Sequence, residues 1–138
     1  MKRKSIIINS LLLYWFSLDM IGVYFRNSYL VSRSWREDGI YFIIFTISLL
    51  LYIYKEKMGQ VILTTWLSIW LVAQFMSHWR YTLLGGGEGL MKFYEGSIKL
   101  INTSSWYIPD VYHLVLHLLI VASLISVIAS KLKESSHS

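Results

Sequence analysis

Four apolar runs, each close to the length that crosses a bilayer, constrain this chain more than any other feature. They lie at about residues 5–25, 39–54, 60–79 and 109–130, separated by short charged turns or long polar connections. At 138 residues, 55% hydrophobic and one proline, the chain has too little polar surface for a soluble domain of its size. The expected fold is an all-α membrane protein in one polytopic domain: a four-transmembrane-helix bundle with a short amphipathic interfacial helix between helices 3 and 4. The formal charge of +5 does not point to nucleic acid, because the cations sit at the ends of apolar runs, where lysine and arginine snorkel and anchor helices. The lipid bilayer is the expected partner. With no cysteine, thiolate catalysis, disulfide exchange and Cys metal sites are excluded, leaving His, Asp, Glu, Tyr, Ser and Arg for any chemistry.

The first run follows Lys2, Arg3 and Lys4 and is too long for a signal-peptide core, so it reads as a membrane helix. Asp19 near its end is expected to pair with Arg26 or to serve as an ion or proton site. The polar connection 26–38 ends in Glu37 and Asp38, acidic residues that favour a helix start. From Gly39 to Tyr54 the second run spans only about 24 Å at 1.5 Å per residue, short of a hydrocarbon core of about 30 Å. A turn is expected at Gly59. In the third run Gln74 and His78 are four residues apart on one face, with Arg80 just beyond. The flanking aromatics Trp35, Tyr41, Tyr52, Tyr54, Trp79, Tyr81, Trp106 and Tyr107 read as an interfacial belt.

The connection 81–108 is long for a helical hairpin and opens on Gly85, Gly86 and Gly87, which suit positive φ rather than a phosphate-binding loop, since no Gly-Lys-Ser follows. Its stretch 90–101 places Leu90, Phe93, Tyr94, Ile98 and Ile101 opposite Lys92, Glu95 and Lys99, the pattern of an amphipathic lid weakened by Gly96. In the fourth run Pro109 and Asp110 suit a helix start, and Asp110, His113 and His117 share one face. Ala122, Ser126 and Ser130 form a small-residue seam on the other face, suited to close helix approach and to a homo-oligomer.

Sequential helices alternate direction, so Asp19, Gln74, His78, Asp110 and His113 belong at one membrane face, with His117 about one turn deeper. Lys2, Arg3, Lys4, Lys55, Lys57, Lys131 and Lys133 fall at the opposite face, and the positive-inside rule then makes both termini cytoplasmic, against the opposing pull of Arg26, Arg33 and Arg36 in one short loop. The expected working site is Asp110, His113 and His117 facing His78 and Gln74, with Asp19 and Arg80 as charge partners. It suits binding of a small ligand, ion or partner protein, an accessory or immunity-type role, better than catalysis. Two other classes remain: a proton-coupled small transporter acting as an oligomer, and a membrane-embedded haem or metal protein using His78, His113, His117 and Asp110 as ligands. A serine-triad hydrolase lacks a serine in a strained elbow.

Overall fold

The computed structural model describes residues 2–138 and is mostly helical. Its elements are α1 (Lys2–Ile21), β1 (Val23–Tyr24), β2 (Tyr29–Val31), α2 (Trp35–Tyr54), α3 (Glu56–Leu84), α4 (Glu88–Phe93) and α5 (Val111–Ser136). Four of these, α1, α2, α3 and α5, are long and apolar enough to cross a membrane. Helix α1 packs on α2 and α5, and α3 packs on α2 and α5, closing a ring around Leu12, Phe16, Phe45, Leu63, Leu67 and Ile120. Away from this core the helices stay apolar: Leu11, Ile43, Ile47, Val61, Val72 and Leu118 are all more than half exposed.

Several boundaries differ from the hydropathy reading, each for a local reason. Helix α2 begins at Trp35 rather than Gly39, because Arg36, Glu37 and Asp38 occupy its first turn; its 20 residues reach about 30 Å and remove the expected shortfall. The chain reverses at Lys55, not Gly59, and α3 starts at once. Gly59 instead lets the two helices touch: a Cβ there would lie 2.1 Å from the Tyr52 backbone nitrogen. Helix α3 continues to Leu84 through a widened π turn at Phe75–Trp79, in which the Arg80 N–H reaches back to the Phe75 carbonyl. The connection 26–38 holds part of a β-hairpin, which periodicity did not reveal because its strands are two and three residues long.

The amphipathic helix is shorter than expected. It stops at Phe93, and the chain turns through Tyr94 and Gly96 into an extended segment that lies beside β2, with Tyr29 donating to the Gly96 carbonyl (3.1 Å) and accepting from the Ile98 N–H (3.0 Å). Lys99 does not pair with the Glu95 carboxylate; its ammonium caps the Tyr94 carbonyl at 2.5 Å. The Val111 N–H donates to Ile98 O (2.9 Å), so the long connection is tied both to the hairpin and to the start of α5. Gly85, Gly86 and Gly87 all have positive φ, and at Gly87 a Cβ would press on Tyr81 and Tyr107.

The small-residue seam is partly used within the chain. Ser126 Oγ meets Ser5 Oγ of α1 at 3.0 Å and Ser130 is buried, while Ala122 is exposed. Of the aromatic belt, Tyr54 and Trp106 are exposed, but Tyr52 and Tyr107 are buried in the protein.

Candidate functional site

The first turn of α5 organises the site. Asp110 is its N-cap, accepting the His113 N–H at 3.0 Å, and the same Oδ1 lies 2.7 Å from His113 Nδ1. This is the usual satisfaction of a helix start by a short acidic side chain, here doubled by the ring. Burial pushes the Asp110 carboxyl up, but the hydrogen bond from the His113 ring, the electrostatic pull of that ring and the His113 backbone N–H outweigh burial and hold it below the ordinary carboxylate value.

The π turn of α3 brings Gln74, His78 and Trp79 to the same neighbour. Trp79 Nε1–H donates to His117 Nδ1 (2.8 Å), and His117 Nε2 lies 2.9 Å from Gln74 Oε1. An indole N–H only donates, so Nδ1 accepts, Nε2 carries the proton, and His117 is neutral with both nitrogens engaged. His78 is buried, its Nδ1 hydrogen-bonded to the Tyr107 hydroxyl and its ring 4.3 Å from that of His113. Tyr94 packs edge-on against His113 at 5.2 Å. Burial raises both the Tyr94 and Tyr107 hydroxyls above the ordinary phenol value, with Tyr94 pushing Tyr107 and Asp110 pushing Tyr94 further. Both phenols therefore stay protonated.

On the other side of His113 stand two carboxyl groups. Asp19, in the last turn of α1, is buried and lines the same cavities as Asp38 of α2. Its backbone carbonyl accepts the Ser34 N–H at 2.8 Å, which fixes the hairpin's return against α1. Between the pair and α3 and α5 lies a cavity of about 170 Å³, lined by Asp19, Asp38, Gln74, Ser77, Tyr112 and His113 among others. Tyr112 lines it too, and its buried hydroxyl has no partner among the described residues.

Of the residues expected at the site, Gln74, His78, Asp110, His113 and His117 are joined by the contacts above, and Asp19 reaches His113 across the cavity. Two charge pairings fail. Asp19 faces Asp38 rather than Arg26, which the hairpin carries into solvent-exposed turn, and Arg80 is exposed with its guanidinium 4.9 Å from the Tyr81 ring centroid. Sequence reading missed Asp38, Tyr94, Tyr107 and Tyr112. Asp38 was legible in principle, since helix alternation places the start of α2 beside the end of α1; the tyrosines carried no signal distinguishing them from a belt.

As a metal or haem centre the constellation is poorly suited. Among the described residues no three His, Cys, Asp or Glu side chains are arranged to hold a metal ion. His117 has spent both nitrogens, and the His78 and His113 rings are too close for a porphyrin to lie between them. Comparison with known proteins supplies no relative: no family model, curated protein or solved structure matches the chain.

Proposed function

We propose that this chain is a four-span membrane protein whose polar site binds a small cation, or a small ligand rich in hydrogen-bond donors, at one membrane face. The membrane reading rests on the length and apolarity of the four helices and on the apolar side chains that they turn outward. With both termini in the cytoplasm, as the distribution of lysines favours, the site opens on the other side.

One observation carries the binding reading: a cavity of about 170 Å³ within the bundle is lined by two carboxyl groups, an amide and a buried tyrosine whose hydroxyl has no partner among the described residues. Polar groups at membrane depth are expensive unless satisfied, so a polar cavity there is a functional feature. Its volume is below that of drug-sized ligand pockets, about 300–1,000 Å³, and suits a hydrated ion or a small organic cation. The acceptor-rich lining, with the carboxyl groups of Asp19 and Asp38 on one wall, selects for positive charge. Two carboxyl groups on one cavity also favour a second reading, proton-coupled exchange, in which a bound cation displaces a proton from one of them.

The test is thermal unfolding of the detergent-purified protein titrated with sodium, potassium, guanidinium and tetramethylammonium chlorides, compared with Asp38→Asn. Concentration-dependent stabilisation by one cation that is lost in the variant supports the reading. No selective stabilisation by any of the four removes it.

A further inference from the structure

At the far end of the bundle, away from the carboxyl site, a second set of buried polar groups converges. Each of the four long helices contributes: Ser5 and Asn9 from α1, Ser48 and Tyr52 from α2, Gln60 from α3, Ser123 and Ser130 from α5, all buried. The observed contacts fix their levels. Ser5 meets Ser126 at 3.0 Å, Gln60 Nε2 reaches the Val127 carbonyl at 3.5 Å, and Gly59 packs on the Tyr52 backbone. Phe16 packs on Phe42, 5.6 Å between centroids, which sets α1 against α2. Counting along these antiparallel pairs puts Ser5, Tyr52, Gln60 and Val127 in one layer, and Asn9, Ser48 and Ser123 in the next, one turn toward the centre.

Three atoms in these layers lack a partner among the described residues: Asn9 Oδ1, the Tyr52 hydroxyl and Ser123 Oγ. The Asn9 amide nitrogen donates to Ser5 O at 2.9 Å, which leaves its oxygen as a pure acceptor turned away from that bond. Tyr52 is fully buried, and a helical side chain leans toward the N-terminus of its helix, so its hydroxyl is directed from the Ser5 layer toward the Asn9 layer. One acceptor and two hydroxyls, from three different helices, are what a buried water needs: such waters make about three hydrogen bonds to groups otherwise unsatisfied.

We propose that Asn9, Tyr52 and Ser123 hold an internal water molecule, a second polar site independent of the carboxyl cavity. It donates to Asn9 Oδ1 and bridges the two hydroxyls. The site continues a line of polar residues from the recess around Lys2, Glu56 and Ser130 inward to the apolar layer of Leu12, Phe45, Leu67 and Ile120. The bundle then carries polar sites at two depths with one apolar layer as the barrier between them.

Radiolytic hydroxyl labelling of the intact protein in detergent, read by mass spectrometry, tests this directly, because a bound water generates radicals in place. Tyr52 is expected to be modified although it is fully buried, alongside the exposed Tyr54. Labelling of Tyr54 with none at Tyr52 overturns the proposal. As an independent measurement, Tyr52→Phe and Ser123→Ala should each lower the melting temperature, and the double variant should lose less than the sum, since the two share one water. A melting temperature that rises in Tyr52→Phe means that the hydroxyl was simply unpaired, and also overturns it. Should either variant fail to fold, the labelling of the unaltered chain decides.

Discussion

At the end that carries the termini and the turn at Lys55, the helices are drawn together by small side chains: Gly59 lets α3 touch the α2 backbone, and Ser5 meets Ser126 across α1 and α5. At the end that carries the hairpin and the long connection, the same four helices are held by large polar and aromatic side chains, Asp19, Asp38, Gln74, His78, Tyr107 and Asp110, and enclose a cavity. Packing at the first end leaves buried neutral groups in close quarters, with the Lys2–Glu56 ion pair (3.0 Å) at the rim. Hydrogen bonding at the second spaces the helices and leaves a charged space between them. Close packing and a ligand-sized cavity demand opposite residue sizes, so the chain separates them along the helix axes.

The contrast can be broken most sharply at Gly59. Replacing it with leucine should remove folded protein altogether, because the added carbon has only backbone to displace; recovery of a monodisperse peak with an unshifted melting temperature would contradict the close approach. At the other end, Asp110→Ala removes an N-cap and the partner of His113. A loss of about 2 kcal/mol is expected, roughly 1 for the cap and the remainder for the buried ring nitrogen, measured by denaturant unfolding. The cavity should persist in that variant only if Tyr107 still holds His78.

A smaller effect sharpens the electrostatic half of the comparison. The folded Asp110 carboxyl lies below its ordinary value, so its contribution is complete above about pH 4, the unfolded value, and is lost as pH falls through the folded value. The difference in melting temperature between the unaltered protein and Asp110→Asn should therefore shrink below pH 4; a gap that is constant from pH 7 to pH 3 would show that the charge is irrelevant. Smallest of all, Ser126→Ala should cost about 0.6 kcal/mol, typical of a hydrogen bond between membrane helices. Ser126→Leu, by contrast, should separate α1 from α5 within one chain, read as a drop in melting temperature.

Much of this was open to reading before any coordinates. Hydropathy marks the four long helices because apolar length is a local property of each segment. Spacing of three and four residues puts Asp110, His113 and His117 on one helical face, and the alternation of helices assigns Asp19, Gln74 and His78 to the same end, since both follow from chain connectivity. Pro109 and Asp110 likewise announce a helix start through local backbone chemistry.

Partners are another matter. Whether Asp19 meets Arg26 or Asp38 depends on how a two-stranded hairpin turns back, and strands this short leave no periodicity to read. Tyr107 looks like any interfacial aromatic until the connection folds over α3 and buries it beside His78. The π turn at Phe75–Trp79 carries no sequence signal here, yet it is what presents Gln74, His78 and Trp79 together to α5. Ser126 belongs equally to a seam between copies and to a contact with α1 until the helices are packed. Segment type and facing follow from the order of residues alone, because they are set within one turn of helix; the pairing of charges, the burial of tyrosines and the volume left between them arise from contacts between segments far apart in the chain, and only the packed structure decides those.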